Sequence, residues 1–132
     1  MSKFSNRTAA LGILSTLALG TLLSAAPAYA KGTAVTSRGT CTKVSVSKLK
    51  LSKDHGVVEA DFEVDSNRVG QRWNVVIKDN GVTVFTGTRT TTAPSGSFEV
   101  DRRIANRAGT DTIAASARNP RTGESCTARV SI

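Results

Sequence analysis

Histidine, cysteine and aromatic residues are scarce in this 132-residue chain, which has one His, two Cys, one Trp, one Tyr and four Phe. A single histidine leaves too little to assemble a metal centre or a nucleophile–base–orienter triad. No glycine-rich phosphate loop, nucleophile elbow or spaced set of metal ligands occurs. Neither catalysis, a metal nor a cofactor is expected. Sugars and single-stranded bases stack on exposed aromatics, and the few here are needed for a core. Duplex binding through phosphates stays open but lacks a motif, so nucleic acid is disfavoured as a partner. No stretch sustains a helical period, and there is no repeat, low-complexity tract or internal linker.

What is present begins with an export signal. Lys3 and Arg7 give a positive n-region, Leu11 to Leu23 an apolar stretch, and Ala28-Tyr29-Ala30 a small-x-small cleavage site. Residues 1–30 are read as a Sec signal peptide cleaved after Ala30, and the protein as secreted. The apolar core is short for a membrane span, and no cysteine follows the site at once to take a lipid. The far end, Cys126 to Ile132, reads as a strand rather than a second apolar span. Removal of Lys3 and Arg7 takes 18 cations to 16 against 10 acids, and the net charge from +8 to +6.

Cys41 and Cys126 lie near the two ends of the mature chain. In a protein bound for an oxidising compartment, an even pair is read as a disulfide, with a metal site or a thiol nucleophile as the competing readings. Closing so long a loop stabilises by roughly 4–5 kcal/mol in the chain-entropy model.

Lys31 to Thr40 has no periodicity and is read as a flexible leader; the domain is expected over residues 41–132. In the first strand Val44 and Val46 share one parity and Leu49 and Leu51 the other, which predicts a bulge near Ser47-Lys48. Val58, Ala60, Phe62 and Val64 alternate with Glu59, Asp61, Glu63 and Asp65. Trp73, Val75 and Ile77 alternate next, and Asn80-Gly81 supplies the two positive-φ residues of a type I′ hairpin turn. Val84 and Phe85 are adjacent in the returning strand, so its buried face is ambiguous. Strands around Phe98–Ile104, Ile113–Ala117 and Cys126–Ile132 follow, separated by turns at Asn106–Gly109 and Asn119–Gly123.

Seven short strands at this spacing indicate an all-β, immunoglobulin-like Greek-key sandwich. The Trp73 strand, the Asp79-Asn80-Gly81 hairpin and Gly109 to Ala117 carry a resemblance to bacterial immunoglobulin-like and fibronectin-type-III-like modules. The whole resembles the small secreted β-proteins of high-GC Gram-positive bacteria for which no activity is known. Two departures set it apart from antibody-type domains. The cysteines would tie the first strand to the last, and no Tyr remains for a tyrosine corner.

Three groups of residues are candidates for function. The Glu59–Asp65 carboxylate row is read as a solvated face that meets Lys48, Lys50 and Lys53 across the neighbouring strand, against calcium or a basic partner. His55 is read as a turn residue. In a sandwich, the loops Ser66–Gly70, Thr92–Ser95 and Asn119–Gly123 would share one end. Arg68, Arg72, Arg89, Arg118 and Arg121 would sit in or beside it, against Asp65 and Glu124. Guanidinium forks suit carboxylate or phosphate polymers. The expected function is a non-catalytic extracellular binding module for an anionic cell-wall polymer or an acidic protein. The alternatives are a structural or stress-tolerance protein without a ligand, and an immunoglobulin-like apoprotein carrying an apolar small molecule in a cleft near Trp73.

Overall fold

The computed structural model describes residues 32–132 together with Ala25; apart from Ala25, the segment read as a signal peptide lies outside the described residues. The described chain forms nine strands: β1 (Ala34–Arg38), β2 (Thr40–Cys41), β3 (Val46–Asp54), β4 (Val57–Asp65), β5 (Arg72–Asp79), β6 (Val82–Thr90), β7 (Ser97–Ala105), β8 (Thr112–Arg118) and β9 (Ser125–Ser131). One sheet has the order β1-β3-β4-β7 and the other β2-β9-β8-β5-β6, with every pairing antiparallel. No helix among the described residues is long and apolar enough to cross a membrane.

Alternation along the strands becomes two faces in space. Leu49 and Leu51 of β3, the four apolar residues of β4, Phe98, Val100 and Ile104 of β7, and the inner residues of β5, β8 and β9 make one buried core. Trp73 is fully buried, and its ring meets that of Phe98 from the opposite sheet at 6.2 Å between centroids, tilted by 52°. Such a pair adds about 0.5–1.5 kcal/mol beyond its area burial. Asp79 and Val82 are register partners across Asn80 (φ 47°) and Gly81 (φ 84°), which is the hairpin the sequence predicts.

Two expectations are corrected. The segment read as a flexible leader, residues 31–40, holds β1, which pairs with β3, and Thr40 of β2, which pairs with β9, so nine strands stand where seven are expected. The chain switches sheets between them at Gly39, where a Cβ would lie 2.5 Å from the Thr127 carbonyl oxygen and 2.2 Å from Ser47 Oγ. Only glycine lets the backbone pass so close. The second correction follows from this crossing. β3 shows no bulge near Ser47; small Ser45 and Ser47 turn inward under the crossover, and Val44 and Val46 face solvent. The irregularity sits in the β5–β6 pairing instead. Ile77 opposes Phe85 and Lys78 opposes Thr83, so Val84 is the extra residue, and both Val84 and Phe85 pack on the core.

The Cys41–Cys126 disulfide forms, with a Cα–Cα distance of 4.0 Å. Its cysteines are direct register partners, so it fastens the two-residue edge strand β2 to β9 within one sheet.

Candidate functional site

Backbone hydrogen bonds tie the loops at one end of the molecule together. Ser66 N–H donates to the Gly96 carbonyl at 3.0 Å, Gly70 N–H to the Thr91 carbonyl at 2.8 Å, and Gln71 N–H to Thr91 Oγ1 at 2.9 Å. A Cβ on Gly96 would lie 2.3 Å from the Arg68 nitrogen, and its φ of 79° favours glycine besides. The β8–β9 loop organises itself around buried Asn119, whose Oδ1 accepts from the N–H groups of Arg121 at 2.9 Å and Thr122 at 3.2 Å. Lys43, from the β2–β3 segment, reaches over and donates to the Thr122 carbonyl.

Between these loops runs an open groove of about 540 Å³, lined by Arg68, Arg72 and Arg121 with no carboxylate in its wall. The two acids expected to face the arginines are engaged elsewhere. Asp65 Oδ1 accepts the Asn67 N–H at 2.8 Å. Buried Glu124 accepts both the N–H and the hydroxyl of Ser45, each at 2.9 Å. Among the described residues no ion pair reaches Arg68, Arg72 or Arg121.

The other two arginines stand apart. Arg118 ends β8 and is the register partner of Asn74, on the exposed outer face of the five-stranded sheet. Arg89 opposes Trp73 on the inward-facing side of β6; its guanidinium lies 5.1 Å from the centroid of the Phe85 ring and donates to the Thr88 carbonyl. It covers the sandwich edge, an arrangement that contributes roughly 0.5–1 kcal/mol at exposed sites. Lys43 is the member that sequence reasoning missed, because only the fold brings it beside Thr122.

In the carboxylate row, Lys48 pairs with Glu63 at 3.0 Å, Arg103 lies 3.9 Å from Glu59, and Lys50 stands opposite Asp61. Lys53 instead opposes Val58. On the other side, β7 sets Asp101 opposite Asp61 and Glu99 opposite Glu63. Burial, then the Asp101 carboxyl, pushes the Asp61 pKa up; the hydrogen bond with Asp101, then burial, does the same to Glu99. His55 Nδ1 is bonded to the Asp54 carboxylate in a turn where both His55 and Gly56 have positive φ. Trp73 is fully buried and does not line the loop-end groove.

At the opposite end, Asp79 and Asp111 are 2% and 0% exposed, and each keeps one oxygen without a hydrogen-bond partner among the described residues. Burial and then the Asp111 charge raise the Asp79 pKa, with Arg107 pulling the other way.

Compared with known proteins, the chain matches no family model, no curated protein and no solved structure.

Proposed function

We propose that this chain is a secreted, non-catalytic binding module that holds an anionic polymer through its arginine-lined loop end. The observation that carries the reading is the groove itself: three guanidinium groups line one opening, and the nearby carboxylates are engaged by Asn67 and Ser45. Uncompensated guanidinium forks at a rigid, hydrogen-bonded end are poised for phosphate or carboxylate oxygens. The disulfide supports export by the segment 1–30 to an oxidising compartment. The strand order, β3-β4-β7 against β9-β8-β5-β6, supports an immunoglobulin-like Greek-key reading of those seven strands.

The test is retention of the mature protein on purified anionic cell-wall polymer across a salt gradient, beside the double variant Arg68→Ala, Arg121→Ala. Retention that weakens with salt and collapses in the variant is the expected result. Co-elution of the two proteins would leave the structural, ligand-free alternative in its place.

A further inference from the structure

The outer face of the five-stranded sheet has a one-sided chemistry that the loop end does not exhaust. Cross-strand register arranges it in rows. Thr90 faces Arg72; then come Thr88, Asn74, Arg118 and Ser125; then Thr86, Val76, Ser116, Thr127 and Thr40; then Thr83, Lys78, Ala114 and Arg129. The face thus carries four cations among hydroxyl and amide groups, and no carboxylate. Of the ten acidic residues, six lie on the other sheet's outer face, Asp54 is beside the His55 turn, and Asp79, Asp111 and Glu124 are buried. Among the described residues none of Arg72, Lys78, Arg118 and Arg129 has an ion-pair partner.

The face is also shaped. Where the chain crosses from β1 to β2 it stands beside the sheet and walls a groove of about 510 Å³, whose lining includes Arg38, Lys78, Arg129, Thr40, Ser116 and Thr127. Small Ala114 lies between Lys78 and Arg129 in the same row, so the two cations flank a low floor. At roughly 3.4 Å per residue, the six residue steps from Arg72 to Lys78 span about 20 Å. Arg72 belongs both to this line and to the loop-end groove, so the two surfaces are continuous.

From this juxtaposition we infer that a linear polyol-phosphate polymer lies along the outer face of the five-stranded sheet, from the loop-end groove past Arg72 and Arg118 to the Lys78–Arg129 groove. The inference rests on the loop-end reading and extends it. A thin chain with one negative charge per repeat fits a shallow, flat track; its phosphates meet the cations, and its free hydroxyls meet the Ser and Thr side chains. Single-stranded nucleic acid shares the phosphodiester chemistry, but the described residues of this outer face offer no aromatic ring on which bases would stack.

The experiment is a binding titration of the mature protein with a glycerol-phosphate dimer, a long poly(glycerol phosphate) chain and an oligothymidylate of matched charge. Three proteins are compared: wild type, Lys78→Ala with Arg129→Ala, and Arg68→Ala with Arg121→Ala. The long chain is expected to bind at least about tenfold more tightly than the dimer, because the second groove is engaged intramolecularly. Lys78→Ala with Arg129→Ala should erase most of that gain, flatten the salt dependence and leave dimer binding intact. Arg68→Ala with Arg121→Ala should weaken both ligands. If chain length adds nothing, or if the Lys78 and Arg129 variant binds the long chain like wild type, the track is refuted while dimer binding still supports the loop end. If the dimer does not bind but the long chain binds and is lost with Lys78 and Arg129, the loop-end reading fails and the sheet face stands. Tighter binding of oligothymidylate than of poly(glycerol phosphate) overturns the polyol-phosphate assignment. All four substituted residues are solvent-exposed, so unchanged thermal unfolding is the folding control.

Discussion

The two outer faces of this sandwich treat charge in opposite ways. On β4 and β7, Glu59, Asp61, Glu63, Asp65, Glu99 and Asp101 stand among Lys48, Lys50 and Arg103, and two close ion pairs form. On the outer side of β5, β8 and β9 the charged residues are all cations, and no ion pair reaches them among the described residues. Alternation sends charged residues outward on both sheets; register decides which charges meet. A face that closes its charges on itself mainly serves the fold. A face of one sign keeps its electrostatic free energy for a partner, and repels its own copies meanwhile.

Breaking the disulfide separates the faces most. It fastens only the five-stranded sheet, at the β2–β9 edge beside the Thr40 groove wall. Replacing Cys41 and Cys126 with Ser should cost about 4–5 kcal/mol of unfolding free energy in the chain-entropy model. Denaturant titration checks it, and a loss below about 1 kcal/mol would mean that backbone pairing alone holds that edge. Exchange of single charges gives a smaller and sharper contrast. Asp101→Lys removes a like charge facing Asp61 and should stabilise by up to about 1 kcal/mol. Arg129→Glu on the other face should move stability by less than about 0.5 kcal/mol. It should, however, sharply reduce retention on anionic polymer. Equal stability changes from the two exchanges would erase the distinction between the faces.

How much of this was readable beforehand depended on burial. The β4 row was legible because each apolar residue is buried and each acid is not, and Asn80-Gly81 because few other pairs adopt two positive φ values. β1 left no such trace. It is an edge strand held by backbone pairing, and even its Val35 is 37% exposed, so no apolar alternation was required. Val84 and Phe85 could not be assigned a face because a bulge turns both onto the core. Within the site, clustering of Arg68, Arg72 and Arg121 followed from strand count alone. Arg89 lies apart from them because parity turns it inward on the edge strand β6, over the Phe85 ring, a contact that depends on the bulge. Lys78 and Arg129 share a row only through Ala114, a relation that exists in register and not in sequence.

The smallest expected effect concerns pH, and it probes the acidic face directly. Asp61, Glu99 and the buried Asp79 all have pKa values raised in the folded protein. Above the ordinary carboxylate range, the folded state therefore binds more protons than the unfolded state. By linkage, stability falls as pH rises from that range through the raised values, and is flat beyond them. The melting temperature should thus be higher near about pH 5 than near about pH 7, the reverse of ordinary acid destabilisation. Burial and then Asp101 raise Asp61, and Asp101 and then burial raise Glu99, so Asp101→Asn should shrink their share of the trend without abolishing it and leave that of Asp79. Added salt should shrink the solvent-exposed share in the wild type and leave the buried Asp79 share nearly unchanged. A melting temperature that rises from mild acid to neutrality in the wild type would show that the acidic face is already neutralised by Lys48, Lys50 and Arg103. The like-charge rows would then impose no net strain, and the contrast between the faces would rest on the cationic side alone.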